Sequence, residues 1–392
     1  MKQNYSALVL FLLAVKHDMD NKIFLSIAIP TYNRAEFLEN LLNNIMPQAK
    51  ELEGSVEVCI SNNSSTDNTK EVIVKFQSKY PNLIKYSENN KNLGVDENII
   101  KVLEMCSGDF IWTLGDDDSI IDNGLAKVAN FIKKNCNNDT GLIVLRVNSY
   151  FTDKRTGQRI TFINTLEENK PDMLKIDRKD IIGLNFPQIA FISVLIFNNK
   201  LLKETLKSDR AVIEKGIGTY HEHMLIFALM FLKYPNISGI AFNKEIVCQE
   251  LSQYKHFIED TFTIHYKVQK KLNSLLLSSK YMNNNYAPLI IDRDKRLRRI
   301  FVIDLLIMRA FRVFNYSSYF GCLKLFFQYS AFIDSLLFSL VFSTLFLIPS
   351  AILILLYKGL LMVKYGKNWK SQWVLKSNAF YIISQGARRQ SA

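Results

Sequence analysis

Between residues 24 and 148 short apolar runs alternate with amphipathic stretches, and few folds accept that alternation. The runs at 24–29, 56–61, 84–88, 110–114 and 142–147 read as strands. Between them, 35–45, 68–80, 95–105 and 123–134 read as helices, the second preceded by Ser65 or Thr66 as N-cap. Such repetition predicts an α/β fold, a mainly parallel sheet flanked by helices on both faces. Ligands of such sheets gather at the carboxyl ends of the strands. Three polar segments of unusual composition fall at those ends: Thr31-Tyr32-Asn33-Arg34, then Ser61 to Asp67, then Asp116 to Asp118.

The last segment carries the sharpest chemistry. The apolar run Phe110-Ile111-Trp112-Thr113-Leu114 ends in Gly115 and then Asp116, Asp117 and Asp118. Like charges so close together repel unless something positive joins them. A hard divalent cation takes oxygen ligands, and Mg²⁺ is commonly held by one or two carboxylates together with substrate phosphates. Taken alone, the triplet also reads as a solvated turn ahead of the helix at 123.

Composition narrows the partners. Lys and Arg number 49 against 37 Asp and Glu, a net charge of +12. The cluster Arg293, Lys295, Arg296, Arg298 and Arg299 borders an apolar C-terminal region, and Lys364, Lys367 and Lys370 follow it. Cations flanking apolar segments favour the cytoplasmic face of a membrane over nucleic acid. No helix-turn-helix, zinc finger or RNA-binding aromatic signature is present, so no nucleic-acid partner is expected. Cys59, Cys106, Cys136, Cys248 and Cys322 are scattered and form no CxxC pair, which excludes a zinc ribbon or disulfide framework and fits a reducing compartment.

Domain boundaries follow. Residues 1–20 read as an N-terminal extension. Its apolar stretch 7–15 follows Lys2, is too short to span a bilayer and has no small-x-small cleavage site, so a start artefact or weak anchor is expected over a secretion signal. Residues 21–255 form the α/β domain, with a hairpin whose tip is 153–158, a strand at 191–197 and a helix entered from the loop at 216. Residues 256–330 form a helical interfacial region, in which 297–327 is apolar around most of its circumference yet carries Arg309, Arg312 and Lys324. Residues 331–392 form a membrane-associated helix or hairpin with a basic tail. The span 335–357 has no charged residue and is interrupted by Pro349, so it crosses the bilayer or re-enters it.

The segments now fit a pattern. Pro30-Thr31-Tyr32-Asn33-Arg34 after the first strand resembles the opening motif of family 2 glycosyltransferases, which have the GT-A fold. Ser61-Asn62-Asn63-Ser64-Ser65-Thr66-Asp67 stands where that family has Asp-Asp-Gly-Ser-x-Asp, and Leu114-Gly115-Asp116-Asp117-Asp118 where it has the Asp-x-Asp metal motif. The resemblance covers about residues 24–250 and rests on motif order; within the family it is nearest to abequosyltransferase-like enzymes of bacterial O-antigen and capsule synthesis. It implies an inverting, metal-dependent hexosyl transfer from a nucleotide-sugar to a lipid-linked saccharide, at the cytoplasmic face of the bacterial inner membrane. It implies Mg²⁺ or Mn²⁺ on Asp118 and Asp116, with Asp117 near the ribose or sugar. Thr31, Tyr32, Asn33 and Arg34 would line the base and phosphate side. Asn98, one turn into the helix after Gly94, would point back to the donor.

Two departures from the family pattern matter. Asn63 replaces an Asp that accepts from uracil N3–H; an amide both donates and accepts, which suits cytosine and favours a CDP-sugar over UDP or dTDP. Tyr220-His221-Glu222-His223 stands where the family has Glu-Asp with Asp as base, so Glu222 is the first candidate base and His223 the second, with His221 a metal or phosphate contact. Phe186 and Phe191 are candidates to stack on acceptor sugars. The competing reading is a catalytically degenerate nucleotide-sugar-binding membrane protein. Retention of three Asp and Glu222 speaks against it.

Overall fold

A computed structural model describes residues 22–152, 159–164, 171–184, 187–250, 268–293 and 350–365. Two compact units divide the chain: Met1–Glu250 with Ser278–Tyr286, and Leu251–Leu277 with Ala287–Ala392.

In the first unit the expected alternation is present. Strands β1 (Leu25–Thr31), β2 (Val56–Asn62), β3 (Ile84–Glu88) and β4 (Phe110–Thr113) are separated by helices α1 (Ala35–Lys50), α2 (Thr69–Lys79) and α3 (Val95–Met105). Every residue of β2 and β4 is buried, as strands covered on both faces must be. Helix α1 buries Leu38, Leu41, Leu42, Ile45, Met46 and Ala49, a stripe at helical spacing.

Beyond β4 come β5 (Asp118–Ile120), α4 (Gly124–Asn135), β6 (Thr140–Thr152), β7 (Arg159–Asn164), β8 (Met173–Ile176), α5 (Arg178–Ile182), β9 (Leu195–Asn198), α6 (Asn199–Ser208), α7 (Arg210–Gly216), α8 (Glu222–Lys233) and β10 (Ser238–Glu250). Among the described residues the strands form one sheet in the order β3-β2-β1-β4-β9-β6-β10-β5, with β7 on β6 and β8 on β10. β1 pairs in parallel with both β2 and β4. The chain therefore reverses its winding between β1 and β4, and the carboxyl ends of these two strands, Thr31 and Thr113, bracket a topological switch point.

Three differences from the sequence expectations have local causes. Asp118 does not lie in a turn: it begins β5, antiparallel to β10 with Asp118 opposite Gln249. The strand expected at 191–197 starts only at Leu195, after 3₁₀ turns at Pro187–Ala190 and Ile192–Val194. There Trp112 Nε1 donates to the Ser193 carbonyl at 2.8 Å and Thr113 Oγ1 to those of Ile192 and Leu195, taking acceptors that a regular ladder would use. Strand β10 has no counterpart in the sequence reading, because register shifts between Phe242 and Glu245 and between Glu245 and Val247 break its alternation. The hairpin lies where expected, with β6 antiparallel to β7; its tip, 153–158, lies outside the described residues.

The second unit contributes α9 (Gln269–Leu277) and α10 (Ser350–Tyr365). Leu272 and Leu276 of α9 are fully buried, and Arg293 donates to Asn273 Oδ1 at 2.6 Å. Helix α10 leaves Ile352, Leu355, Leu356 and Met362 exposed. Among the described residues no helix is long and apolar enough to cross a membrane. The interfacial segment 297–327, and 335–349 of the uncharged span, lie outside the described residues.

Candidate active site

At the switch point the side chains of β1 and the Asp triplet meet. Thr31 Oγ1 donates to Asp116 Oδ2 at 2.7 Å. Arg34 Nη1 reaches Asp116 Oδ1 at 3.2 Å and Asp117 Oδ2 at 2.7 Å. Ser193 Oγ, itself accepting from the Gly115 N–H at 2.8 Å, donates to Asp118 Oδ2. Asp118 Oδ1 is buried with no hydrogen-bond partner. Burial raises the Asp116 pKa to about 7, with Arg34 opposing the shift and Asp117 adding to it. Asp118 is raised well above the usual carboxylate range by burial first and Asp117 second. These carboxyls sit in a place that disfavours their charge, with one guanidinium beside them, and a cation would reverse that. Among the described residues no group of three or more His, Cys, Asp or Glu is arranged to hold a metal ion by itself. Two carboxylates with the remaining ligands from phosphate and water is the arrangement this donor set fits.

The 31–34 turn is held from the next loop. Asn33 has φ 52°, its N–H donates to Ser65 Oγ at 2.8 Å, and its Oδ1 accepts from Thr66 N at 2.7 Å. Asp67 accepts from the Ala35 N–H at 3.0 Å and the Thr69 N–H at 3.1 Å, tying the heads of α1 and α2 together on either side of Arg34. Those hydrogen bonds outweigh the desolvation of Asp67, whose pKa is lowered. Tyr32 is 40% exposed at this rim.

Asn63 and Asn98 turn out differently. Asn63 Nδ2 donates to Asn92 Oδ1 at 2.9 Å and to the Gly94 carbonyl at 3.1 Å, while its Oδ1 accepts from Asn89 Nδ2 at 3.0 Å and the Leu93 N–H at 2.9 Å. Both donor hydrogens and both lone pairs are used inside the protein, so the amide has no edge left to read cytosine. Asn98 is likewise committed. It donates to the carbonyls of Ser61 at 3.1 Å and Thr31 at 3.4 Å, and accepts from Ser61 Oγ and Asn89 Nδ2. It fastens α3 to the ends of β1 and β2 instead of reaching a donor.

Two indirect chains of contacts connect the head of α8 with this cluster. Asn98 is two residues from Asp96, whose carboxylate binds the 218–220 backbone. On the other side, His223 sits against the backbone of Ile189 and Ala190, in the segment that delivers Ser193 to Asp118. Neither candidate base behaves as an accessible proton acceptor. Glu222 is fully buried, and burial first and the Asp96 carboxyl second push its pKa well above the usual carboxylate range. His223 is 1% exposed, and burial lowers its pKa to about 3. His221 is half-buried, and its Nδ1 lies 2.5 Å from the Tyr220 carbonyl. A carbonyl only accepts, so Nδ1 is the donor in this contact. Phe191 is half-buried and Phe186 lies outside the described residues. The sequence reading missed Asp96, which looks like an ordinary acidic first-turn residue, and Ser193, which nothing local marks as the partner of Asp118.

Residues 26–196 match the family model described as Glycosyl transferase family 2. By this match the stretch is similar to family 2 glycosyl transferases. Among curated relatives, the abequosyltransferase RfbV of Salmonella typhimurium is 40% identical over 110 residues, 28% of this chain and 33% of that protein. The GalNAc(5)-diNAcBac-PP-undecaprenol beta-1,3-glucosyltransferase of Campylobacter jejuni is 34% identical over 103 residues, 26% of this chain and 32% of that protein. The chain thus spans about a third of the length of these relatives. In fold it is similar to S. aureus TarS 1-349, with TM-score 0.51 and 17% identity, covering 94% of this chain and 92% of that one. The α/β sheet is of the GT-A type, as the resemblance implied.

Proposed function

We propose that this chain transfers a sugar, with inversion, from a nucleoside-diphosphate sugar to a lipid-linked saccharide at the cytoplasmic face of a bacterial inner membrane. The observation that carries the reading is the buried, under-compensated carboxyl cluster at the switch point, with Asp118 Oδ1 lacking any partner. Asp118 and Asp116 would hold Mg²⁺ or Mn²⁺. When bound, the cation supplies charge to balance the departing diphosphate. Arg34 adds a second positive group on the phosphate side, and Thr31 orients Asp116. Tyr32 and Asn33 form the exposed rim on which the nucleoside rests. A sugar nucleotide of any base meets this apparatus through its phosphates, and Asn63 gives no ground for preferring CDP.

Inverting transfer needs a group to take the acceptor hydroxyl's proton as that oxygen attacks the anomeric carbon. With Glu222 and His223 both enclosed, the half-buried His221 is the group assigned that role, its Nδ1 turned to the Tyr220 carbonyl. Membrane attachment follows from the acceptor chemistry: a polyprenyl-linked saccharide stays in the bilayer. The name of the Campylobacter relative, with its PP-undecaprenol-linked saccharide, supports an acceptor of that kind.

The test is equilibrium binding of CDP, UDP, dTDP and GDP to the full chain in detergent, with and without Mn²⁺, for wild type and Asp118→Asn. Cation-dependent binding of at least one nucleotide, lost in the variant, is expected. Binding that ignores the cation, or survives the substitution unchanged, would sink the assignment of Asp118.

A further inference from the structure

Each of the two buried carboxyl groups at the switch point is capped on one oxygen by a hydroxyl. Asp116 Oδ2 accepts from Thr31 Oγ1 at 2.7 Å, and Asp118 Oδ2 accepts from Ser193 Oγ. The caps come from different elements, Thr31 from the end of β1 and Ser193 from the 3₁₀ turn Ile192–Val194. All four side chains are buried. Ser193 Oγ accepts from the Gly115 N–H at 2.8 Å, so its own proton is directed at Asp118. Its backbone is pinned to β4: the Ser193 carbonyl accepts from Trp112 Nε1 at 2.8 Å, and the neighbouring carbonyls of Ile192 and Leu195 accept from Thr113 Oγ1. The Asp118 N–H donates to the Gly115 carbonyl at 3.3 Å and closes the turn that carries the triplet. The second oxygens differ. Asp118 Oδ1 is buried without a partner, and Asp116 Oδ1 meets Arg34 Nη1 at 3.2 Å, from a side chain that is 43% exposed and has room to yield.

We propose that these two hydroxyl caps leave each aspartate a single oxygen for the cation, and that they thereby set the site to Mg²⁺ or Mn²⁺ and against Ca²⁺. Ser193 and Thr31 act here as positioning residues, through the aspartates. The inference rests on the assignment of the cation to Asp116 and Asp118 in the transferase reading. Its physical basis is ligand number and size. Mg²⁺ demands a near-octahedral shell at about 2.0–2.1 Å, and two single-oxygen ligands leave the rest of that shell to phosphate and water. Ca²⁺ is larger, takes more oxygens and readily accepts a carboxylate through both of its own. A carboxylate with one oxygen held by a buried hydroxyl cannot turn both oxygens to a cation without breaking that hydrogen bond. Removing a cap frees the second oxygen and lets the carboxyl rotate. Mg²⁺ then loses a fixed ligand, while Ca²⁺ gains an oxygen in compensation.

The experiment titrates the full chain in detergent with Mn²⁺, followed by electron paramagnetic resonance, in the presence of CDP, UDP, dTDP or GDP, and then displaces the Mn²⁺ with Mg²⁺ or Ca²⁺. Asp118→Asn serves as the blank, because free nucleotide also takes up cation. Wild type should prefer Mg²⁺ to Ca²⁺. In S193A and in T31V the Mg²⁺ affinity should fall about tenfold or more, as loss of a group that orients a metal ligand does. Their Ca²⁺ affinity should change by less than about threefold, so that the preference narrows. S193T keeps the hydroxyl and should keep the wild-type ratio. Thr205 of α6 is another fully buried hydroxyl, donating to the Leu201 carbonyl at 2.8 Å. T205V should lower the melting temperature and leave the ratio unchanged, which separates selectivity from general loosening of the fold. Equal losses of both cations in the capped-site variants, wild-type binding of both, or a wild type that holds Ca²⁺ as tightly as Mg²⁺ overturns the inference. T31V carries the test by itself where S193A does not fold. A wild type that takes up no Mn²⁺ beyond the blank refutes the assignment of the cation to Asp118, and the inference falls with it.

Discussion

At the residue scale the site depends on atoms with almost no room to move. A Cβ at Gly115 would lie 2.9 Å from Asp118 Oδ2 and 3.2 Å from both Asp117 Oδ1 and Ser193 Oγ. Gly115→Ala should therefore push the triplet apart and weaken Mn²⁺-dependent nucleotide binding at least tenfold, with circular dichroism unchanged; wild-type affinity would show that the cluster tolerates displacement. His223 makes a prediction about pH. Its folded pKa of about 3 lies below the 6.5 of an unperturbed imidazole, so the native state binds fewer protons than the unfolded chain between these values. Stability contributed by the neutral ring is complete above pH 6.5 and is lost as the pH falls toward 3, a change on the order of several kcal/mol. His223→Leu should flatten that part of the wild-type stability profile, checked by thermal melts between pH 7 and 4. If the two profiles run parallel, the ring is not held neutral. The Asp triplet was legible in the sequence because three carboxylates after an apolar strand leave few explanations. Asp96 was not, because its importance comes from a turn more than a hundred positions away.

At the scale of elements, the two asparagines act as fasteners between strands, helix and loop. Asn63 ties β2 to the 89–94 loop through four hydrogen bonds, two of which it donates. Asn63→Asp would face Asn92 Oδ1 and the Gly94 carbonyl with a third acceptor; both residues are exposed and Asn92 Oδ1 keeps the Gly94 N–H, so the loss is of two hydrogen bonds at about 0.5–1.5 kcal/mol apiece. The expected outcome is a lower melting temperature with the order of nucleotide preference unchanged. A switch of preference from CDP to UDP with no loss of stability would restore Asn63 as a base reader. The sequence suggested a nucleotide contact here because the position matches an Asp of the family motif, yet a residue's position says nothing of whether its hydrogen bonds are already spent. The same limit applied to β4 and β9. Apolar runs marked both strands, but the donors of Trp112 and Thr113 decided where β9 could begin. Strand β10 escaped notice because its bulges disrupt the period on which strand recognition depends.

At the scale of the whole molecule, the basic, apolar C-terminal part has to be reconciled with a catalytic unit built like a soluble α/β domain. Helix α10 carries Ile352, Leu355, Leu356 and Met362 on its exposed surface, with Leu355 65% exposed. On the proposed membrane reading a nonaqueous surface would cover these apolar side chains, and Lys364, Lys367 and Lys370 would meet its anionic headgroups. Replacing Leu355 and Leu356 together by Glu removes apolar area and adds two like charges to this exposed face. Co-sedimentation with vesicles of mixed neutral and anionic lipid should fall at least tenfold, and raising the salt concentration should weaken wild-type binding further through screening of the lysines. Nucleotide binding should be unaffected, since every residue assigned to it belongs to the other unit. Transfer to a lipid-linked acceptor in vesicles should then drop, while transfer to a water-soluble acceptor is kept. If vesicle binding is untouched by both changes, α10 is not the attachment, and an acceptor fixed in the bilayer must be reached by another part of the chain.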